Sequence, residues 1–183
     1  WAGKIFPELT KEESKEKLWD LIFSIVRADK ENPIQEWKKH LNLLKENMNY
    51  LNKKKFKKLI YKNSLGTNLK IGLPEGHIWT AGGETSKEGV YFVANMPTEE
   101  IFTLPKKDEV NGIVYSSKPF SYGGNLIENF SLTFKDGKVV DFSAEKGKET
   151  LEQLLKSDEG SSYLGEVALV PYDSPISNSN TIF

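Results

Sequence analysis

The chain has 183 residues, 38% hydrophobic and 28% charged, and its 25 Lys and Arg nearly balance 26 Asp and Glu for a net charge of −1. That length holds one domain, or a domain and part of another, and the near-neutral balance argues against general binding to nucleic acid or a membrane surface. No cysteine is present, which excludes a disulfide framework, an iron–sulfur cluster, a cysteine nucleophile and a thiolate zinc site, and fits a cytoplasmic protein.

No apolar run approaches the roughly 18 residues of a membrane span, and no signal peptide opens the chain. The sequence begins at Trp1 without an initiator Met and stops at Phe183. Natural termini are usually polar and frayed, so truncation is the expectation.

Helices are expected over the first sixty residues. Thr10 and Glu13 have the spacing of a capping box, and Leu18, Trp19, Leu21, Ile22, Ile25 and Val26 then mark one helical face. Asn32 is a candidate N-cap, with Pro33 in the first turn and Gln35 at the reciprocal position. Ile34, Trp37, Leu41, Leu44, Met48 and Leu51 extend the stripe. Lys53, Lys54, Lys55, Lys57 and Lys58 surround Phe56. They are read as a solvated helix face, with Phe56 and Leu59 turned inward; the functional alternative is a phosphate or nucleic-acid patch.

Beyond Asn63 the pattern shifts to short β-prone runs separated by Gly, Pro, Asn and Asp. Strands are expected over 68–73, 90–94, 113–116, 129–134 and 138–142, and Asp136-Gly137 between the last two is a strong hairpin signal. A short helix follows over 150–156, then an apolar strand over 165–171. The fold class is therefore α+β: a helical segment followed by a β-rich, mixed-sheet, barrel-like domain. The boundary falls near residues 60–65, giving segments 1–62 and 63–183.

Few residues stand out for chemistry. Gly76, Gly82, Gly83 and Gly89 form no phosphate loop and suit turns. No Gly-x-Ser-x-Gly elbow occurs. His40 reads as a partly exposed helix histidine, and His77, in Pro74-Glu75-Gly76-His77, as a residue that could line a cleft. Glu99-Glu100 follows Pro97-Thr98, where Thr98 could cap a short turn and the carboxylates would favour a helix N-terminus. Glu166 lies in the apolar run Leu164-Gly165-Glu166-Val167-Ala168-Leu169-Val170. A buried carboxylate there needs a partner: a buried Arg or Lys, a hydrogen-bond network, or a metal ion.

These segments, in order, resemble the aminopeptidase T and aminopeptidase S family of two-metal aminopeptidases, the thermophilic metalloproteases. The matching stretches are Gly72-Leu73-Pro74-Glu75-Gly76-His77, Asn95 to Thr103, Lys118-Pro119, Tyr122 to Ile127, Phe134 to Val140, Leu164 to Pro171 and Ser174 to Ser177. Each is modestly specific; their succession is highly specific and spans nearly the whole chain. The resemblance implies a cytoplasmic, homodimeric hydrolase that removes N-terminal residues from peptides, with water activated by two divalent ions, zinc or cobalt. Its substrate would be a peptide, and neither nucleic acid nor membrane would be a partner. Glu100 and Glu166 match two of the family's metal ligands, and Glu99 is the other member of its pair.

The remaining family ligands, a glutamate, two histidines and an aspartate, belong to segments not found in this chain, and neither His40 nor His77 matches them. Residues 1–62 would then be the end of the preceding α/β domain and its linker. Residues 63–183 would be a β-rich part of the catalytic domain, truncated C-terminally. Such a fragment is expected to be inactive alone and to bind metal weakly or not at all. Glu100 and Glu166 should lie close together on an open surface. A different reading is a noncatalytic α+β binding module, with contacts from the basic patch at 53–58 or from Trp79, Phe92 and Tyr122.

Overall fold

Both long helices begin at the side chains that cap them. The computed structural model describes residues 2–179 and 181, opening with a single turn, α1 (Ala2–Ile5), followed by α2 (Lys11–Ile25). The Thr10 hydroxyl accepts from the Glu13 N–H at 3.3 Å, and the Glu13 carboxylate accepts from the Thr10 N–H at 3.0 Å. The capping box is complete. The Thr10 hydroxyl and then its backbone N–H hold the Glu13 carboxyl below the usual carboxylate range. α3 (Pro33–Lys54) starts at Asn32, whose side chain accepts from the Gln35 N–H at 3.1 Å.

Burial of the helical faces is uneven. On α3, Leu44 is fully buried and Met48 and Leu51 pack against the core, but Ile34 is 71% exposed. Ile34 occupies the first turn, well before the part of the helix that reaches the core. On α2, Trp19 and Phe23 stack on each other at 5.6 Å and stay exposed, and only Ile25 among the expected apolar face is buried.

From Lys58 the chain is β-rich. Its strands are β1 (Lys58–Lys62), β2 (Asn68–Gly72), β3 (Thr80–Ala81), β4 (Glu84–Thr85), β5 (Tyr91–Phe92), β6 (Ile101–Thr103), β7 (Val110–Tyr115), β8 (Phe120–Tyr122), β9 (Asn125–Ile127), β10 (Ser131–Lys135) and β11 (Lys138–Ser143). Helix α4 (Lys148–Leu155), strand β12 (Val167–Leu169) and helix α5 (Pro175–Asn178) complete the order.

β1 lies where helix was expected. Leu59 and Tyr61 turn inward while Lys58, Ile60 and Lys62 face solvent, a period-two pattern masked by the surrounding lysines. The five lysines are all exposed, yet they share no helix face, because α3 ends at Lys54 and Lys55 turns left-handed at φ 49°. Phe56, expected inward, falls in that link and is 40% exposed.

All strand pairings among the described residues are antiparallel. β1-β2-β7-β10-β11 form a five-stranded sheet, β12-β6-β3 a three-stranded one, and β4–β5 and β8–β9 separate ribbons. The α+β class holds, with open antiparallel sheets in place of a mixed, closed arrangement. Tight hairpins such as β10–β11 leave no room for the crossover of a dozen or more residues that parallel neighbours require. In that hairpin Asp136 (φ 48°) and Gly137 (φ 86°) are both left-handed, the geometry of a type I′ turn.

The core joins the helical and β parts. Leu44 of α3, Leu69 and Ile71 of β2, Trp79, Ile101 of β6, Phe134 of β10 and Val167 of β12 form one buried cluster. Asn52 clamps α3 to the start of β3: its amide donates to the Trp79 carbonyl at 2.9 Å and accepts from the Trp79 N–H at 2.8 Å. Tyr61 packs against this cluster, and burial pushes its phenol above the usual value.

Gly137→Ala should destabilise the protein by about 2–5 kcal/mol, combining left-handed strain with overpacking. An added Cβ would sit 1.7 Å from the Lys107 carbonyl oxygen. Gly124→Ala, also left-handed (φ 81°) but facing open space, should lose only about 1–2 kcal/mol. Urea denaturation of the two variants checks the difference; equal losses would mean the tight approach at Gly137 relaxes freely.

Candidate functional site

The site is organised by β6, the central strand of the three-stranded sheet. Successive strand residues face opposite sides. Accordingly Ile101 and Thr103 are buried while Phe102 is only half-buried. β12 continues the pattern beside it, pairing Val167 with Thr103, Ala168 with Phe102 and Leu169 with Ile101. Val167 joins the core, so Phe102 and Ala168 share the opposite face.

Glu100 and Glu166 lie just outside this ladder. Glu100 stands two residues before Phe102 and is half-buried; Glu166 stands two residues before Ala168 and is exposed. The strands run antiparallel, so the two glutamates sit at opposite ends of the ladder. Extended geometry separates their backbone positions by about 13 Å along the strand direction. Any approach of the two carboxylates depends on their side chains reaching toward each other past the Phe102–Ala168 pair. Neither carboxylate has a salt-bridge partner among the described residues.

The expected burial of Glu166 is not found. The strand is shorter than 165–171, and only Val167 within it is buried. Glu166 precedes the first ladder pair and is exposed.

The buried carboxylate belongs instead to Glu99, 6% exposed. Arg27, in the link between α2 and α3, grips it with both arms: Nη1 donates to Oε1 at 2.6 Å and Nη2 to Oε2 at 3.2 Å. The parallel fork suits a carboxylate. Arg27 Nη2 also lies 3.3 Å from His40 Nδ1, and His40 Nε2 lies 2.7 Å from the Thr98 carbonyl oxygen. Arginine can only donate and a carbonyl can only accept. The ring is thereby fixed as the Nε2–H tautomer, accepting from Arg27 and donating to Thr98. Trp37 completes the enclosure, with the guanidinium 5.2 Å from its ring and its indole N–H on the Val26 carbonyl at 2.7 Å.

Two expectations are corrected here. His40 is buried at 9% exposure, because it fills the seam between α3 and the Thr98–Glu99 segment. Thr98 caps no helix: residues 98–100 are irregular and lead into β6. Arg27 carried no sequence signal as a functional residue. A buried pair whose members lie 72 positions apart has no local signature.

An open cleft of about 1090 Å³ lies elsewhere, lined by Lys55, Phe56, Leu73, Pro74, His77 and Lys106 among others. His77 Nδ1 donates to the Pro74 carbonyl at 2.9 Å, and its ring stands edge-on to Trp79. Neither Glu100 nor Glu166 lines this cleft. Trp79 itself is 1% exposed and offers no contact surface, whereas Phe92 and Tyr122 are exposed on their ribbons. Among the described residues no three His, Asp or Glu side chains gather as a metal-binding cluster, and no helix is long and apolar enough to cross a membrane.

Comparison with known proteins places this arrangement. A family model described as thermophilic metalloprotease (M29) matches residues 1–183. Aminopeptidase AmpS of Bacillus subtilis is 52% identical over all 183 residues, which span 44% of its length. Aminopeptidase T of Thermus thermophilus is 45% identical over the same residues, covering 45% of it. The structure of wild-type AmpT from Thermus thermophilus superposes on the whole chain with a TM-score of 0.92 at 43% identity, covering 44% of that protein. The chain thus spans less than half the length of the curated relatives it matches.

Glu99→Ala should cost about 3–5 kcal/mol, since it strands the Arg27 charge in a buried seam. Glu100→Ala should stay within about 1 kcal/mol. Chemical denaturation of both variants separates the structural glutamate from the available one; similar losses would overturn the distinction.

Proposed function

The chain belongs to the thermophilic metalloprotease (M29) family, and from that membership we propose that it is the part of an aminopeptidase that supplies two metal-ligating glutamates, Glu100 and Glu166. The observation that carries this reading is that neither Glu100 nor Glu166 has a salt-bridge partner among the described residues, while the competing Glu99 is engaged by Arg27.

Carboxylate oxygens suit divalent cations, and these two fit as part of a ligand set. A two-ion site commonly needs more protein donors than two, since even a catalytic zinc has three. The others would come from outside this chain, in keeping with its share of the relatives' length. Bound divalent ions, zinc or cobalt in this proposal, would supply Lewis-acid polarisation and lower the pKa of water toward neutrality.

The chain's own residues would do the rest of the local work. Glu100 and Glu166 would hold and charge-balance the cations. Phe102, between them on the same face, would keep that surface partly apolar and limit water beside it. The substrate is proposed to be a peptide with a free N-terminus, consistent with the activity named for the similar aminopeptidases. Homodimer assembly and residence in the cytoplasm belong to the same proposal.

In the intact polypeptide carrying this chain, Glu100→Ala and Glu166→Ala should each weaken divalent-metal binding and leucyl-substrate hydrolysis by more than ~100-fold. That exceeds the ~10–100-fold typical of groups that only support a ligand. Lys55→Ala, on the solvated lysine cluster, should change neither by more than about twofold. Calorimetric metal titration with steady-state kinetics checks this; near-normal turnover of either glutamate variant at limiting metal would sink the assignment. The 183-residue chain alone should release no leucine from a leucyl chromogenic substrate, and chelator-sensitive release would defeat that expectation.

A further inference from the structure

We propose that Arg27, with His40, is a positioning residue for the metal site: it draws Glu99 into the protein and so turns Glu100 outward. The inference rests on reading Glu100 as a metal ligand. Four features of the seam carry it.

The segment 98–100 is irregular backbone with no ladder partner of its own, so hydrogen bonds from outside must fix its course. Three converge on the two residues before Glu100. Arg27 takes both oxygens of Glu99, and His40 donates to the Thr98 carbonyl. Once a carbonyl and the following side chain are both held, only two soft dihedrals per residue remain to direct the next side chain.

The second feature is alternation. Glu99 inward and Glu100 outward continue the pattern of β6, where Ile101 is buried and Phe102 faces out. A slip of one residue would aim the wrong glutamate at the outward face. Two adjacent identical side chains offer no steric bar to such a slip. A guanidinium waiting in the seam does, because it accepts one carboxylate only.

Third, Arg27 adopts φ 61°, a left-handed conformation that disfavours an ordinary side chain relative to glycine. A glycine would satisfy this backbone better. What an arginine adds is the guanidinium.

Fourth, a buried ion pair is weak evidence for stability, since well-packed apolar replacements are often as stable. Its distinct contribution here is geometric: a bidentate fork sets both the depth and the rotation of Glu99.

The test uses the intact polypeptide, stripped of metal by chelator and titrated with zinc in a calorimeter, alongside thermal melting. Arg27→Met should lower both melting temperature and zinc affinity. Arg27→Met/Glu99→Met removes both buried charges and should recover most of the melting temperature. Its zinc affinity should nonetheless stay about 10–100-fold weakened, the range for groups that orient a ligand. Arg27→Lys, which keeps charge without the fork, should fall between wild type and Arg27→Met in affinity.

A double variant that binds zinc as wild type does would overturn the inference, because the pair would then serve stability alone. If Arg27→Met fails to fold, the double variant and Glu99→Gln still decide. Glu99→Gln keeps one acceptor but sets an amide N–H against the guanidinium, breaking the two-point fork, so its zinc affinity should also fall; wild-type affinity in that variant would overturn the inference. Glu100→Ala separates the two levels. Lost zinc binding there, with a normal double variant, rejects only the positioning role. Unchanged zinc binding in Glu100→Ala rejects the ligand assignment and this inference with it.

Discussion

A carboxylate taken out of water must find a cation or donors able to replace its hydration, and Glu99 meets that demand at the seam between helices and sheet. The consequences extend in both directions along the chain. On the helical side, the α2–α3 link must turn left-handed at Arg27 to deliver a guanidinium, and Trp37 and His40 on α3 must stand beside it. On the β side, the irregular entry into β6 is held at Thr98 and Glu99, so the strand's inward and outward faces are set before its first ladder pair.

The three-stranded sheet converts that local setting into a surface. β6 is paired on both edges, by β12 and β3, so its faces cannot rotate independently of its neighbours. Its inward residues merge with the core that also takes Leu44 from α3 and Phe134 from the larger sheet. Rigid support of this kind suits metal ligation, where donors must be held close to their productive geometry. The same arrangement explains why two neighbouring glutamates of identical chemistry have different surroundings. Glu99 is buried and paired with an arginine, whereas Glu100 is half-buried and has no salt-bridge partner among the described residues.

The helices act less as a separate unit than as one wall of the core. Asn52 hydrogen-bonds both backbone groups of Trp79, and Leu44 packs among the strands. α2 is different: Trp19 and Phe23 remain exposed, and its buried contacts concentrate near Ser14 and Ile25. The lysine-rich end of α3 also fits this division. Lys53 and Lys54 lie in the last helical turn, where positive charge favours the negative end of the helix dipole, and the chain then turns left-handed into β1.

Local chemistry explains what the sequence by itself determined. Capping at Thr10 and Asn32, the Asp136-Gly137 hairpin, helices α2, α3 and α4, and half of the described strands (β2, β5, β7, β10, β11 and β12) have signals within a few residues, so those signals stand in the string, whereas β6, at the centre of the site, did not announce itself. The family resemblance was legible for a related reason: the order of short motifs around Glu100 and Glu166 is a property of the chain alone. The strand β1 was obscured by lysines that solvate its outer face, and Ile34 and Phe56 looked inward only because periodicity does not report where a helix meets its core. Tertiary structure alone decided which carboxylate is buried. Sequence favoured burial at Glu166, within an apolar run, yet Glu99 is the one enclosed, because its partner Arg27 is 72 positions distant. Burial of a charge depends on what the fold brings against it, and a linear sequence carries no record of that meeting.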